Sequence, residues 1–260
     1  MNSIATIWKR EVKGYFQTPL AYIFVGIFSI LVGLMMQSFL SIYDQFTKGA
    51  MFGAQQEITI DKLAEAFYLN VHLFLVFIIP FFTMRLITEE TRNNTLALLL
   101  TSPVKTWDIT WAKFLSGVTM LASLLAVTVI FPIFLVAFSE PGQGVGPDLG
   151  VILATYLGLF LVGAAYVAIG LFWSSMTSSQ MIAVIFTFAT NLSFFWLLAL
   201  ASQSATGASQ EVFKYLATSE QLQTFTKGIL ELKTFVYFFS LIAFFLFLTK
   251  QSIESRAWRS

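Results

Sequence analysis

Residues 88–114 read TEETRNNTLALLLTSPVKTWDITWAKF. Glu89, Glu90, Arg92, Asn93 and Asn94 open this stretch; an apolar run, a Ser-Pro break and a second polar patch follow. Long apolar segments flank it on both sides, so whether it enters a membrane decides how often the chain crosses one. On insertion scales each charge at the membrane centre costs about 2.5–3.5 kcal/mol, and each Leu returns about 0.3–0.6. Three charges therefore cost about 9 kcal/mol against about 3 returned by the apolar run. The stretch stays outside.

It still reads as a helix. Thr88 or Thr91 can cap it, Glu89 and Glu90 suit its positive end, and Leu96, Leu99 and Leu100 line one side. Pro103 ends it, because the residue before a proline is pushed out of the helical region. Thr106, followed by Trp107 and Asp108, then caps the next helix. A leucine face left in water is costly. Two arrangements remove that cost: the face docks on a partner, or it folds back on its own bundle.

Composition sets the surroundings. The chain of 260 residues is 57% hydrophobic and 17% aromatic, with only 11% charged residues, where soluble domains carry about 25%. A spanning helix needs about 20 apolar residues, so this length suits about six spans. A net charge of +1 leaves no basic patch for nucleic acid. With no cysteine, disulfides, thiolate metal sites and cysteine nucleophiles are excluded.

The expected spans run over residues 20–42, 66–87, 109–138, 149–173, 180–201 and 234–249, the last being short. Nineteen residues precede the first, whose apolar run exceeds the 7–15 or so of a signal peptide, so it reads as a retained helix. Six spans put both termini on one side. That side carries Lys9, Arg10, Lys13, Arg85, Arg92, Lys105, Lys113, Lys250, Arg256 and Arg259; the other carries Lys48, Lys62, Lys214, Lys227 and Lys233. The positive-inside rule places the termini and the 88–114 stretch in the cytoplasm.

Two short helices complete an all-α polytopic membrane protein, a single domain over residues 1–260. In residues 1–18, Ile4, Ile7, Trp8, Val12 and Tyr15 share a face and Lys9, Arg10 and Lys13 lie elsewhere, which suits an amphipathic helix on the inner membrane surface. In residues 218–228, Thr218 and Gln221 fit a capping box and Gly228 fits a helix end. Leu222, Phe225, Ile229 and Leu230 follow at helical spacing. This piece either lies at the outer leaflet as an interfacial or re-entrant helix, or packs on the end of the bundle.

Chemistry-bearing patterns are scarce. No GxxxxGK[ST] or GxSxG occurs, so the chain carries neither a P-loop nor a nucleophile elbow of its own. One histidine, His72, falls near the outer end of the second span and reads as an interface-level polar residue. No acid lies within a span, which disfavours a proton relay. The Asn191 amide is the main deep polar group, bonding across helices or lining a path. Ser29/Gly33 and Ala164/Ala168 offer small-residue contacts.

The segment MRLITEETRNNTLALLLTSPVKTWDITWAKF resembles the signature of ABC-2-type transporter permeases, R-x-x-x-E-E-x-R-x-x-T-L-E-L-L-L-T-x-P. Arg85, Glu89, Glu90, Arg92, Thr95, Leu96, Leu98, Leu99, Leu100, Thr101 and Pro103 stand at matching positions. Ala97 replaces the usual acid. Residues 156–180 and 235–258 are similar to the gliding-motility-associated subgroup. The resemblance implies that residues 88–103 form a coupling helix docking on a separate ATPase, with Glu89, Glu90, Arg92, Thr95, Leu96, Leu99, Leu100 and Pro103 at that contact. It further implies a pair of permease chains in a bacterial inner membrane. ATP and Mg would be bound by the ATPase, so the chain needs no cofactor or metal and has no catalytic residue. The work is export, or force transmission without a transported substrate. Few polar groups line the spans, which favours lipid-like cargo or force.

Overall fold

The computed structural model describes residues 3–47, 60–93, 105–133 and 149–257. Its regular elements are α1 (Ser3–Gln17), α2 (Pro19–Thr47), α3 (Ile60–Thr83), α4 (Arg85–Arg92), α5 (Thr106–Thr128) and α6 (Leu149–Met176). Then come α7 (Gln180–Leu192), a π-helical segment (Ser193–Leu197), α8 (Leu198–Ser204), α9 (Ala208–Leu216), α10 (Thr218–Thr226) and α11 (Leu232–Ala257). No strand occurs among the described residues. Among the described residues, six stretches are long and apolar enough to cross a membrane: Ala21–Ile42, Ala64–Arg92, Thr106–Ile133, Leu149–Met176, Gln180–Ser204 and Leu232–Arg256. The chain is an all-α polytopic membrane protein.

A helix apolar on every side belongs in the middle of a bundle. α6 is such a helix, and α11, α3, α5, α7 and α10 all pack around it. Without a hydrophobic drive between helices inside lipid, close backbone approach supplies the packing energy. A Cβ at Gly163 would come within 2.5 Å of Leu121, and one at Gly170 would collide with Thr83. Of the small-residue pairs read from the sequence, Ala164 and Ala168 are buried in the core, whereas a Cβ at Gly33 would meet nothing within 4 Å among the described residues. α2 is peripheral. Phe28 and Val32 turn inward while Ile23, Ile27, Ile30 and Leu34 face outward.

Several local expectations are corrected. The second apolar helix does not stop at residue 87; after a turn at Met84, α4 carries it to Arg92. Thr88 and Thr91 cap nothing, because their hydroxyls donate back to the Met84 and Ile87 carbonyls inside the helix. α5 starts after Lys105, with no side-chain cap from Thr106. α11 extends beyond residues 234–249 at both ends. At its C-terminal side a Lys250–Glu254 pair, 2.7 Å apart and one turn along, supports helix past the apolar run. Residues 134–138 of the expected third span lie outside the described residues.

Residues 218–228 pack on the bundle. Leu222 and Phe225 are fully buried, and a Cβ at Gly158 would meet the Phe225 ring. The capping box does not form: Thr218 donates to the Phe194 carbonyl (3.2 Å), and the Gln221 amide donates to the Tyr215 carbonyl (2.8 Å). Gly228 does end the helix. At φ +73 it lets its own N–H reach Phe225 O and that of Ile229 reach Thr224 O, the Schellman pattern.

His72 lies inside the bundle. It is fully buried, bonded to the Tyr166 hydroxyl at 2.8 Å and edge-on to Phe195. Tyr166 in turn meets Thr218 Oγ1 at 2.7 Å. These bonds join α3, α6, α10 and the π segment through polar groups that hydrocarbon would leave unsatisfied.

Candidate functional site

α4 begins at a break, so its first N–H groups lack partners from within the helix. Ser174 of α6 supplies them: its Oγ accepts from Ile87 N (3.0 Å) and Thr88 N (3.1 Å) and donates to Met84 O (3.1 Å). A cap from a distant helix fixes α4 against α6 and so sets where its last turn lies. That turn carries Glu89, Glu90 and Arg92, with Glu89 and Arg92 exposed.

Glu90 turns inward onto Lys113 of α5, its Oε1 2.9 Å from Nζ. The Lys113 side chain is 1% exposed. It also lies 3.7 Å from Glu11 of α1 and donates to the Leu86 carbonyl at 2.5 Å. Arg10 reaches Glu11 at 3.3 Å and Glu90 at 3.8 Å from the outer side. One enclosed ammonium thus gathers two carboxylates and a carbonyl from α1 and α4, leaving its donors few directions without a partner.

α1 is fastened along its length. Ser3 donates to Asp108 (2.6 Å) and Trp8 to Thr119 (3.0 Å), both on α5. Ile4, Ile7, Trp8, Val12 and Tyr15 are half-buried, while Lys9, Arg10 and Lys13 are exposed. α1 is therefore bound to α5 rather than merely resting beside the bundle. Enclosure and the nearby Glu11 carboxylate raise the Tyr15 hydroxyl above its ordinary range, so it stays neutral.

Sequence reasoning singled out Glu90 as an ATPase contact, and missed Lys113, Glu11 and Ser174, which gather around it or fix its helix. Two signals were present. Lys113 is a lone cation among apolar residues two turns into a spanning helix, a pattern that marks function by default. Glu11 lies on the same face as Ile4, Trp8 and Tyr15, where a carboxylate needs a partner. Thr95, Leu96, Leu99, Leu100 and Pro103 fall outside the described residues. Asn191 is not part of this junction. It is fully buried on α7, and neither its amide oxygen nor its nitrogen has a partner among the described residues.

A family model described as ABC-2 family transporter protein matches residues 6–257, nearly the whole chain. The chain belongs to the ABC-2 transporter family. ABC-2 proteins of this kind are the membrane permease subunits of ABC transporters, non-catalytic components that normally work with an ATPase subunit. No curated protein matches this ABC-2 permease. The junction draws Leu86, Glu90 and Lys113 from the segment in which the permease signature was read.

Proposed function

We propose that this permease converts the strokes of a separate ATPase into export or other envelope work through residues 88–103. The observation that carries the reading is the buried Lys113–Glu90 pair. It ties α4, the element leading directly into the leucine-rich segment, to α1 and α5. A push on Leu96, Leu99 and Leu100 would reach α4 within two or three turns of chain. From there it passes to α5 through Lys113 and to α6 through Ser174. Glu89 and Arg92, exposed on the last turn of α4, are free to meet charges on the ATPase, with Thr95 and Pro103 shaping the docking helix.

In this reading both termini and the junction face the cytoplasm of a bacterial inner membrane, an orientation that the Lys/Arg asymmetry supports. Two permease chains, identical or related, stand over two ATPase subunits that bind ATP and Mg. The resemblance to the gliding-motility-associated subgroup points to work on the cell envelope. A second reading, force transmission without a transported substrate, draws on Asn191. This deep amide is sealed inside a single chain, so it lines a path only if α7 moves away from α3 and α6.

The test is mild detergent extraction from native membranes, with identification of what co-purifies. Wild type is expected to bring down a P-loop ATPase, and Leu99→Asp with Leu100→Asp to lose it while remaining in the membrane fraction. Equal ATPase recovery with the double variant would sink the docking role, and no ATPase with wild type would sink the coupling reading.

A further inference from the structure

At the end of the bundle opposite the termini, two cavities meet at Lys227. The first, about 530 Å³, lies between Val151, Leu153 and Leu157 of α6 and Gly228 and Leu230 after α10. Leu153 is 71% exposed and Leu157 39%, so this groove opens sideways, where hydrocarbon surrounds a spanning helix. Leu157 is eight residues into α6, so the groove descends about 12 Å from the helix start at 1.5 Å per residue. The second cavity, about 440 Å³, is lined by Glu211, Lys214, Glu220 and Lys227 with Tyr215 and Gln223. Both volumes fall within the roughly 300–1,000 Å³ of ligand pockets.

We propose that the two cavities form one site for a zwitterionic phospholipid drawn laterally from the surrounding bilayer. Its chain lies along Leu153 and Leu157, its phosphate meets Lys227 and Lys214, and its amine meets Glu211 and Glu220. Charge complementarity selects this occupant. Lys214, Lys227, Glu211 and Glu220 make no ion pair among the described residues, whereas Lys233 is already held by Glu231 at 2.6 Å. Two free cations beside two free anions suit a head bearing both signs better than a purely anionic one. An apolar slot continuous with that charged cavity suits a molecule whose chain enters hydrocarbon while its head stays wet.

The site is built rather than incidental. Phe225, seated against Gly158, fixes α10 on α6, and the left-handed Gly228 brings Lys227 to the junction of the two cavities. The Thr155 hydroxyl donates to the Phe225 carbonyl at 3.4 Å from the same side. As the substrate class of the permease, the proposal rests on the reading under Proposed function; as a binding site, it stands alone.

The experiment reconstitutes the full chain into vesicles of equimolar phosphatidylethanolamine and phosphatidylglycerol. It then re-extracts the protein in mild detergent and quantifies the retained lipid by mass spectrometry. Wild type is expected to retain phosphatidylethanolamine in excess. Lys227→Glu, which removes a charge-assisted contact, and Leu157→Trp, which fills the groove, are each expected to lower that retention roughly tenfold. Lys227→Arg should keep it. Retention that follows the vesicle ratio, that favours phosphatidylglycerol, or that survives both damaging variants overturns the site. ATPase co-purification from native membranes, scored with the same variants, separates the two ideas. Selective lipid retention without an ATPase keeps the site and removes the coupling reading, whereas unselective retention with an ATPase removes the site alone.

Discussion

Lys113→Met is expected to destabilise the protein by about 3 kcal/mol and to release α1 from α5. Removing one partner of a buried ion pair costs about 3–5 kcal/mol, because the remaining charge stays desolvated without its counterion. The figure is set at the low end because the Glu90 and Glu11 side chains keep 16% and 20% of their exposure and recover some hydration. Chemical unfolding in detergent measures the loss, and quenching of Trp8, whose indole is bonded to Thr119 of α5, reports undocking. Adding Glu90→Leu should return more than half of the loss, since the nearer of the two orphaned carboxylates is then gone. A single variant within about 0.5 kcal/mol of wild type, the range of an ordinary surface change, would show that the cluster holds nothing together.

Gly170→Ala should act at the other major seam, between α3 and α6. The added methyl collides with Thr83, whose hydroxyl is already committed to Ile79 O at 2.9 Å. Overpacking of this kind costs about 1–3 kcal/mol. Here the strain also works on Ser174, one turn away, which caps α4. Loss of ATPase co-purification is therefore expected to accompany the fall in stability, although residue 170 lies outside residues 88–103. Thr83→Gly in the same chain should restore both. Recovery of stability without recovery of ATPase association would break the proposed link from α6 through Ser174 to α4.

The parts of this architecture that a sequence can carry are those set by length and period. A membrane core about 30 Å thick imposes a run of about 20 apolar residues, and that threshold separates five of the six spans, the sixth falling short of it. The spacing of Ile4, Trp8 and Tyr15 likewise defines the docked face of α1. Contacts between distant elements leave no such trace. Ser174 reaches Thr88 across 86 residues, and nothing in SSMTSSQ distinguishes that serine from its neighbours. The segment Ser193–Leu197 contains no proline or glycine to announce a π turn. Thr218 looked like a local cap because its hydroxyl has the right spacing to Gln221; burial gave it stronger partners in Tyr166 and the Phe194 carbonyl. At the candidate site, Glu90 was legible as a charge needing a partner. Lys113, hidden in a count of positive residues, was not.

The polar chain from His72 through Tyr166 to Thr218 also fixes an order of events during synthesis. Its members leave the ribosome in the sequence 72, 166, then 218, so α3 and α6 enter the membrane with an imidazole and a phenol lacking the group that completes the chain. Their hydrogen bonds are finished only when α10 folds back from the far side. The central pair of helices packs directly, but its polar chain stays incomplete until Thr218 has been made. A chain halted before residue 218 would keep the His72–Tyr166 bond but lack the Thr218 hydroxyl and, with it, the link from that pair to the π segment.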